Sequence, residues 1–293
     1  MSEYQYYEFQ TVGTQLGDDA MREMSALSAR AQISRTSASF TYEYGDFRGD
    51  PIKVLMRHFD AMLYLANWGS RQLAFRFPIS SADHDALRRF AFSKTIRVTK
   101  SEAHVLVDMF LDDEADSGWL EGDGALNRVI GLYEDLLAGD YRALFLLWLQ
   151  AASMEEETEL RLPPIPAGLR ELSETHRTLI SFFGIDPDLV AAAEPFSAPI
   201  EQVTNEDLAR ALDSMPGGEQ SGFLRKMVMG ESPAVVFAEL RRRLRSDALS
   251  GQEAPAAPQP APASAGVLFA NARHTQADRA NEAKQQARDL RLP

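Results

Sequence analysis

Strand-like runs crowd between Tyr4 and Leu111 and nearly cease from Trp119 onward, and this asymmetry constrains the fold more than any other feature of the sequence. Tyr4 to Val12 is aromatic and branched, Ser37 to Tyr44 alternates, and RQLAFRFP at 71 to 78 reads as a third strand. Residues 94 to 99 and 103 to 111 supply two more. Between them, Met21, Met24, Leu27 and Ala31 fall at helical spacing in and just beyond Asp18 to Arg30. Pro51 to Trp68 carries one long helical stripe of Ile52, Leu55, Met56, Phe59, Leu63 and Ala66, and Ser81 to Phe92 reads as another helix. The pattern predicts an α/β (or α+β) N-terminal domain of about five strands, a sheet covered by helices, over residues 1–118.

A mostly α-helical domain is expected over 119–249. Its segments are Leu126 to Leu137, Tyr141 to Ala152, Ala167 to Phe183, Pro187 to Ala193, Asn205 to Asp213, Gly222 to Met229 and Pro233 to Arg245. The run LFLLWL is apolar all round, which predicts a helix buried at the centre of the packing. RRRLR at 241 to 245 is read as closing its helix, where positive charge complements the dipole. Residues 250–266 are an Ala/Pro linker, expected to be disordered, and 267–293 a solitary C-terminal helix with a thin apolar stripe.

Composition narrows the chemistry. The chain has no cysteine, so disulfides, thiolate zinc, iron–sulfur clusters and cysteine nucleophiles are excluded. The start MSEYQYYEFQ lacks the basic lead and apolar run of a signal peptide, and no apolar stretch approaches a membrane span, so a cytoplasmic location is expected. Net charge is −13, which argues against a general nucleic-acid binder. Residues 101–160 hold fifteen acidic side chains against Arg128 and Arg142, so that segment carries the whole imbalance. Residues 70–100 carry seven basic side chains against Asp83 and Asp85, and such polarity favours electrostatic steering of a partner.

The stretch TYEYGDFRGDP at 41 to 51 lies where a phosphate loop would, yet it matches no phosphate fingerprint and its aspartates repel phosphate. Gly45 and Gly49 suit a turn, while Asp50 and Pro51 suit a helix start. Two site readings attach to it. Glu43, Asp46, Asp50 and Asp60 could hold a divalent cation if the turn folds back. Tyr42, Tyr44, Asp46, Phe47 and Arg48 bring more acid and aromatic character than a turn requires, and form the candidate partner-binding face.

Three other patterns carry possible chemistry. His58, His84 and Asp85, with Asp108 or Asp112, follow the H…HD…D order of HD phosphohydrolases, although that family is helical where strands are expected here. The acidic stretch 108–123 resembles an EF-hand loop but has Ser117 where glycine belongs, and reads instead as a solvated loop. Arg71, Arg76, Arg88, Arg89, Lys94 and Arg97 interleave with phenylalanines as an RNA-binding surface would, and RRFAF resembles a ribonucleoprotein motif with Arg89 in place of its glycine. Core phenylalanines with basic rims explain the same residues.

The segments MSEYQYYEF, TYEYGDFRGDP and FDAMLYLANWGSRQLAFRFP together resemble the opening of an uncharacterised bacterial protein family over roughly the first hundred residues. No activity comes with the resemblance. It implies a partner of the SWIM-type zinc-finger class, encoded nearby, and a C-terminal tail shorter than its relatives'. The expectation is a non-catalytic protein-interaction or adaptor protein with no cofactor. A metal-dependent hydrolase of the phosphoester class, with a divalent cation, is the alternative, and a nucleic-acid-associated protein acting through 71–100 is the second.

Overall fold

The computed structural model describes residues 3–113, 122–155, 160–201, 203–250 and 259–289. Residues 114–121 of the acidic stretch, and with them the EF-hand reading, lie outside the described residues, as do 251–258 of the Ala/Pro segment.

Seven strands form one sheet: β1 (Gln5–Gln10), β2 (Gln32–Ile33), β3 (Ser37–Tyr42), β4 (Ala61–Ala66), β5 (Ser70–Pro78), β6 (Ile96–Lys100) and β7 (His104–Asp112). Their order is β2-β3-β1-β4-β5-β7-β6, and every pairing is antiparallel. The architecture is mixed α/β, with two more strands than the periodicity indicates. One, β2, has only two residues. The other, β4, sits at the sheet's centre inside the stretch that reads as a continuous helix from Pro51 to Trp68.

The break has a local cause and a tertiary one. Helix α2 (Pro51–His58) stops at Phe59, whose backbone is extended, and all six residues of β4 are buried. Met62 and Tyr64 face one side of the sheet, Leu63 and Leu65 the other. A strand covered on both faces shows no polar alternation, so its sequence cannot be told from a buried helix.

Phe9, Phe40, Met62 and Ala74 pack one face against α1 (Asp18–Leu27) and α2 through Met24, Val54 and Leu55. On the other face Tyr6, Leu65, Phe75 and Val107 share a core with α4 (Ala125–Val129), α5 (Gly131–Leu137), α6 (Arg142–Ser153), α7 (Glu174–Phe183) and α8 (Pro187–Ala193). Glu8 enters that interface as a buried carboxylate, and its Oε2 accepts from the Leu126 amide at 3.1 Å. The LFLLWL run lies in α6 and is buried all round, as expected.

Helix α3 (His84–Arg88) lies beside β6. Among the remaining helices, α11 (Pro233–Leu249) packs on α5, on α9 (Asn205–Ser214) and on α10 (Gly217–Val228). The segment read as a solitary helix, α12 (Ala265–Asp289), docks on α8 and buries Leu268, Phe269 and Ala272 in the main core. No described helix is long and apolar enough to cross a membrane.

Candidate functional site: an arginine-lined cleft

The sequence-predicted sites do not assemble. In TYEYGDFRGDP, Gly45 and Gly49 take positive φ, and Asp50 Oδ1 accepts from the Ile52 and Lys53 amides at 3.0 and 3.2 Å as the cap of α2. Asp46 accepts from Gln5 Nε2 at 3.2 Å, while Asp60 is ion-paired with Arg76. Glu43 is exposed and brought to neither. Each acid is engaged or isolated, so the cation reading of Glu43, Asp46, Asp50 and Asp60 lacks its convergence.

Of the proposed partner face, Phe47 is a core residue. Its ring packs on Tyr7, Phe40 and the partly buried Tyr42, which withdraws it from any partner. Tyr44 and Arg48 are exposed there.

The H…HD…D stations are likewise spent on separate neighbours. His58 meets Glu23 at 2.9 Å and His84 meets Asp85 at 3.2 Å. Asp108 takes Gln72 and Arg97, and Asp112 accepts from Ser70 Oγ. The basic stretch is split too. Arg71 is buried in the sheet, Arg76 and Arg97 are ion-paired, and Arg88, Arg89 and Lys94 are exposed.

One of these, Arg89, enters a cleft of about 400 Å³ that the sequence reading missed. Its walls come from the end of α3, the α5–α6 loop, the Pro164–Ala167 segment and α11. Five arginines line it: Arg89, Arg142, Arg241, Arg242 and Arg245. Helix α11 runs on to Leu249, so RRRLR is mid-helix and the dipole does not account for it. Arg243 turns away to Glu219 and Asp247, while Arg241, Arg242 and Arg245 face the cleft. Among the described residues, Arg242 and Arg245 donate to backbone carbonyls, Ser81 at 3.4 Å and Glu201 at 3.2 Å. None of these three has a carboxylate partner among the described residues at ion-pair distance.

Two carboxylates sit at the floor, and local backbone chemistry puts them side by side. Gly139, at φ 86°, ends α5 in a Schellman turn. Its amide donates to the Leu136 carbonyl at 3.2 Å and that of Asp140 to the Asp135 carbonyl at 2.8 Å. Asp140 is therefore folded back over Asp135. Arg142, the first residue of α6, clamps Asp140 through Nε at 3.0 Å and Nη2 at 2.6 Å, and its Nη1 donates to the Gly168 and Glu171 carbonyls. That clamp, working against burial, holds the Asp140 carboxyl below the usual range. Asp135 has no such donor among the described residues, and burial, helped by the Asp140 charge, pushes it up to about 6.

Behind them lies His176, fully buried in the first turn of α7. The capping residue Ser173 meets its Nδ1 at 2.7 Å, and its Nε2 has no hydrogen-bond partner among the described residues. Burial depresses its pKa to about 4, so the imidazole is neutral at pH 7. The LLAGD turn and RRRLR were the available sequence signals. Nothing local shows that they meet.

Compared with family models, curated proteins and solved structures, the chain matches none of them.

Proposed function

We propose that this chain is a non-catalytic binding protein whose cleft receives an anionic group, a phosphate or carboxylate, presented by a protein partner. The observation that carries this reading is the convergence of five guanidinium groups on one cleft in a chain of net charge −13. Guanidinium forks match planar and tetrahedral oxyanions in geometry and charge, and among the described residues three of them here have no carboxylate at ion-pair distance. Arg142 is already committed to Asp140, so Arg89, Arg241, Arg242 and Arg245 are the groups that meet the ligand.

That the anion belongs to a protein is supported by α10, which packs beside α11. Leu224, Met227 and Val228 form a stripe on it with 65, 49 and 85% exposure, more apolar surface than a small ion would use. A SWIM-type zinc-finger protein is the partner class to try first, on the resemblance of the N-terminal segments.

The test is calorimetric titration with inorganic phosphate and with a phosphoserine peptide, beside its unphosphorylated form. Binding that weakens with salt, and falls about tenfold for each of Arg241→Ala and Arg245→Ala, is the expected result. Binding that neither variant changes, or none at low salt, refutes the reading.

A further inference from the structure

The cleft's floor has a chemistry that anion binding does not use. One carboxylate oxygen each of Asp135 and Asp140 and one ring nitrogen of His176 lie within 4.8 Å of one another, a separation that one ion can bridge. We propose that Asp135, Asp140 and His176 bind a divalent first-row transition ion, of the Zn²⁺ or Mn²⁺ kind, at the base of the cleft.

Two of the three donors, Asp135 and His176, are in the state that ligation needs. His176 is wholly buried, and the Ser173 hydroxyl at Nδ1 fixes the ring and leaves Nε2 as the unpartnered nitrogen. An imidazole oriented by a hydrogen bond on its other nitrogen is the usual arrangement of a metal-bound histidine. Asp135 has no hydrogen-bond donor to its carboxylate among the described residues. Asp140 receives three N–H groups from Arg142, the amide on Oδ1, Nη2 on Oδ2 and Nε shared between both oxygens, so it reaches the ion by giving up one arm of the shared Nε bond.

A mixed nitrogen and oxygen set selects transition ions over Mg²⁺ or Ca²⁺, which prefer all-oxygen shells. Asp135 and Asp140 both line the cleft, so the ion is reached from there and its open positions look toward the arginines. Those arginines repel a bare cation. On the anion-binding reading above, an oxyanion that touches both the ion and a guanidinium removes the repulsion, and ion and phosphate then bind with positive coupling.

The experiment uses the full chain, stripped with EDTA and titrated calorimetrically with Zn²⁺, then with Mg²⁺ as the comparator. One Zn²⁺ per chain is expected, with Asp135→Asn and His176→Gln each weakening it about tenfold or more. Thermal melting establishes that each variant is folded. Two readouts distinguish ligation from a structural role: visible absorption of the Co²⁺ form, and the ¹⁵N shift of His176 Nε2 on Zn²⁺ addition. Unchanged Zn²⁺ affinity in both variants, an unmoved Nε2 signal, or no binding at all overturns the proposal. Phosphate titrated in EDTA separates the two readings. Phosphate binding without an ion site leaves the cleft's function intact, and Zn²⁺ binding that survives Arg241→Ala and Arg245→Ala after phosphate binding is lost leaves the ion site intact.

Discussion

Arg76 Nη2 donates to Asp60 Oδ1 at 2.7 Å, and this pair ties three elements together at one end of the sheet. The second Asp60 oxygen accepts from the Val12 amide at 2.8 Å, beyond β1, and Arg76 Nη1 donates to the Met56 carbonyl at 2.9 Å, near the end of α2. Neither charge is open to solvent, with side-chain exposures of 16 and 12%. Removing one member strands the other. Asp60→Ala is expected to cost about 3–5 kcal/mol in urea denaturation, and Arg76→Met in the same background to recover part of it.

Asp50 is the contrasting carboxylate, exposed and local. Asp50→Ala removes the cap from α2 and is expected to cost about 1 kcal/mol, while phosphate binding at the cleft stays at the parent value. A loss of binding in this variant would return the turn to consideration as a site.

The pH dependence of stability follows from two opposed shifts in the metal-free chain. Asp135 titrates near 6 when folded, above its ordinary 3.8, facing Asp140, Glu134, Arg142 and Arg241. The folded state binds its proton more readily, so this group adds stability as pH falls from about 6. His176 titrates near 4 when folded, below its ordinary 6.5, facing Asp140 and Arg142. The unfolded state binds that proton more readily, so stability is lost as pH falls from 6.5 toward 4. In the parent the two largely cancel. Relative to it, Asp135→Asn should lose on the order of 2 kcal/mol between pH 6.5 and 4, and His176→Gln should gain over the same window. Urea melts in EDTA across that range check both signs.

Helix α12 has little periodicity of its own, yet Leu268 is fully buried against the core beside α8. Leu268→Ala is expected to cost about 2–5 kcal/mol, as a core truncation does. Thermal melting of this variant beside a chain ending at Ser250 shows whether the contact or the whole segment carries the stability. A shift within error for both would place α12 outside the folded core.

Much of the architecture is legible in local pattern. Five strands, the all-round burial of α6 and the Asp50–Pro51 start of α2 each rest on neighbouring residues, on an alternation, an apolar run or a cap, and such signals survive without knowledge of the fold. Other features are not local. AMLYLA is a strand only because β1 and β5 flank it and both its faces are covered, conditions that no stretch of six residues encodes. RRRLR reads as a charged helix end until α11 is seen to continue past it. Asp135, Asp140 and His176 are spread over about forty residues, and Arg241 lies well beyond them in the chain; their convergence comes from packing α5, α7 and α11 together. The sequence by itself determined which segments could become strands and helices, because periodicity is a short-range property. Only the tertiary structure decided which charges were left facing one another in a cleft, because that depends on which carboxylates had already been claimed by neighbours far along the chain.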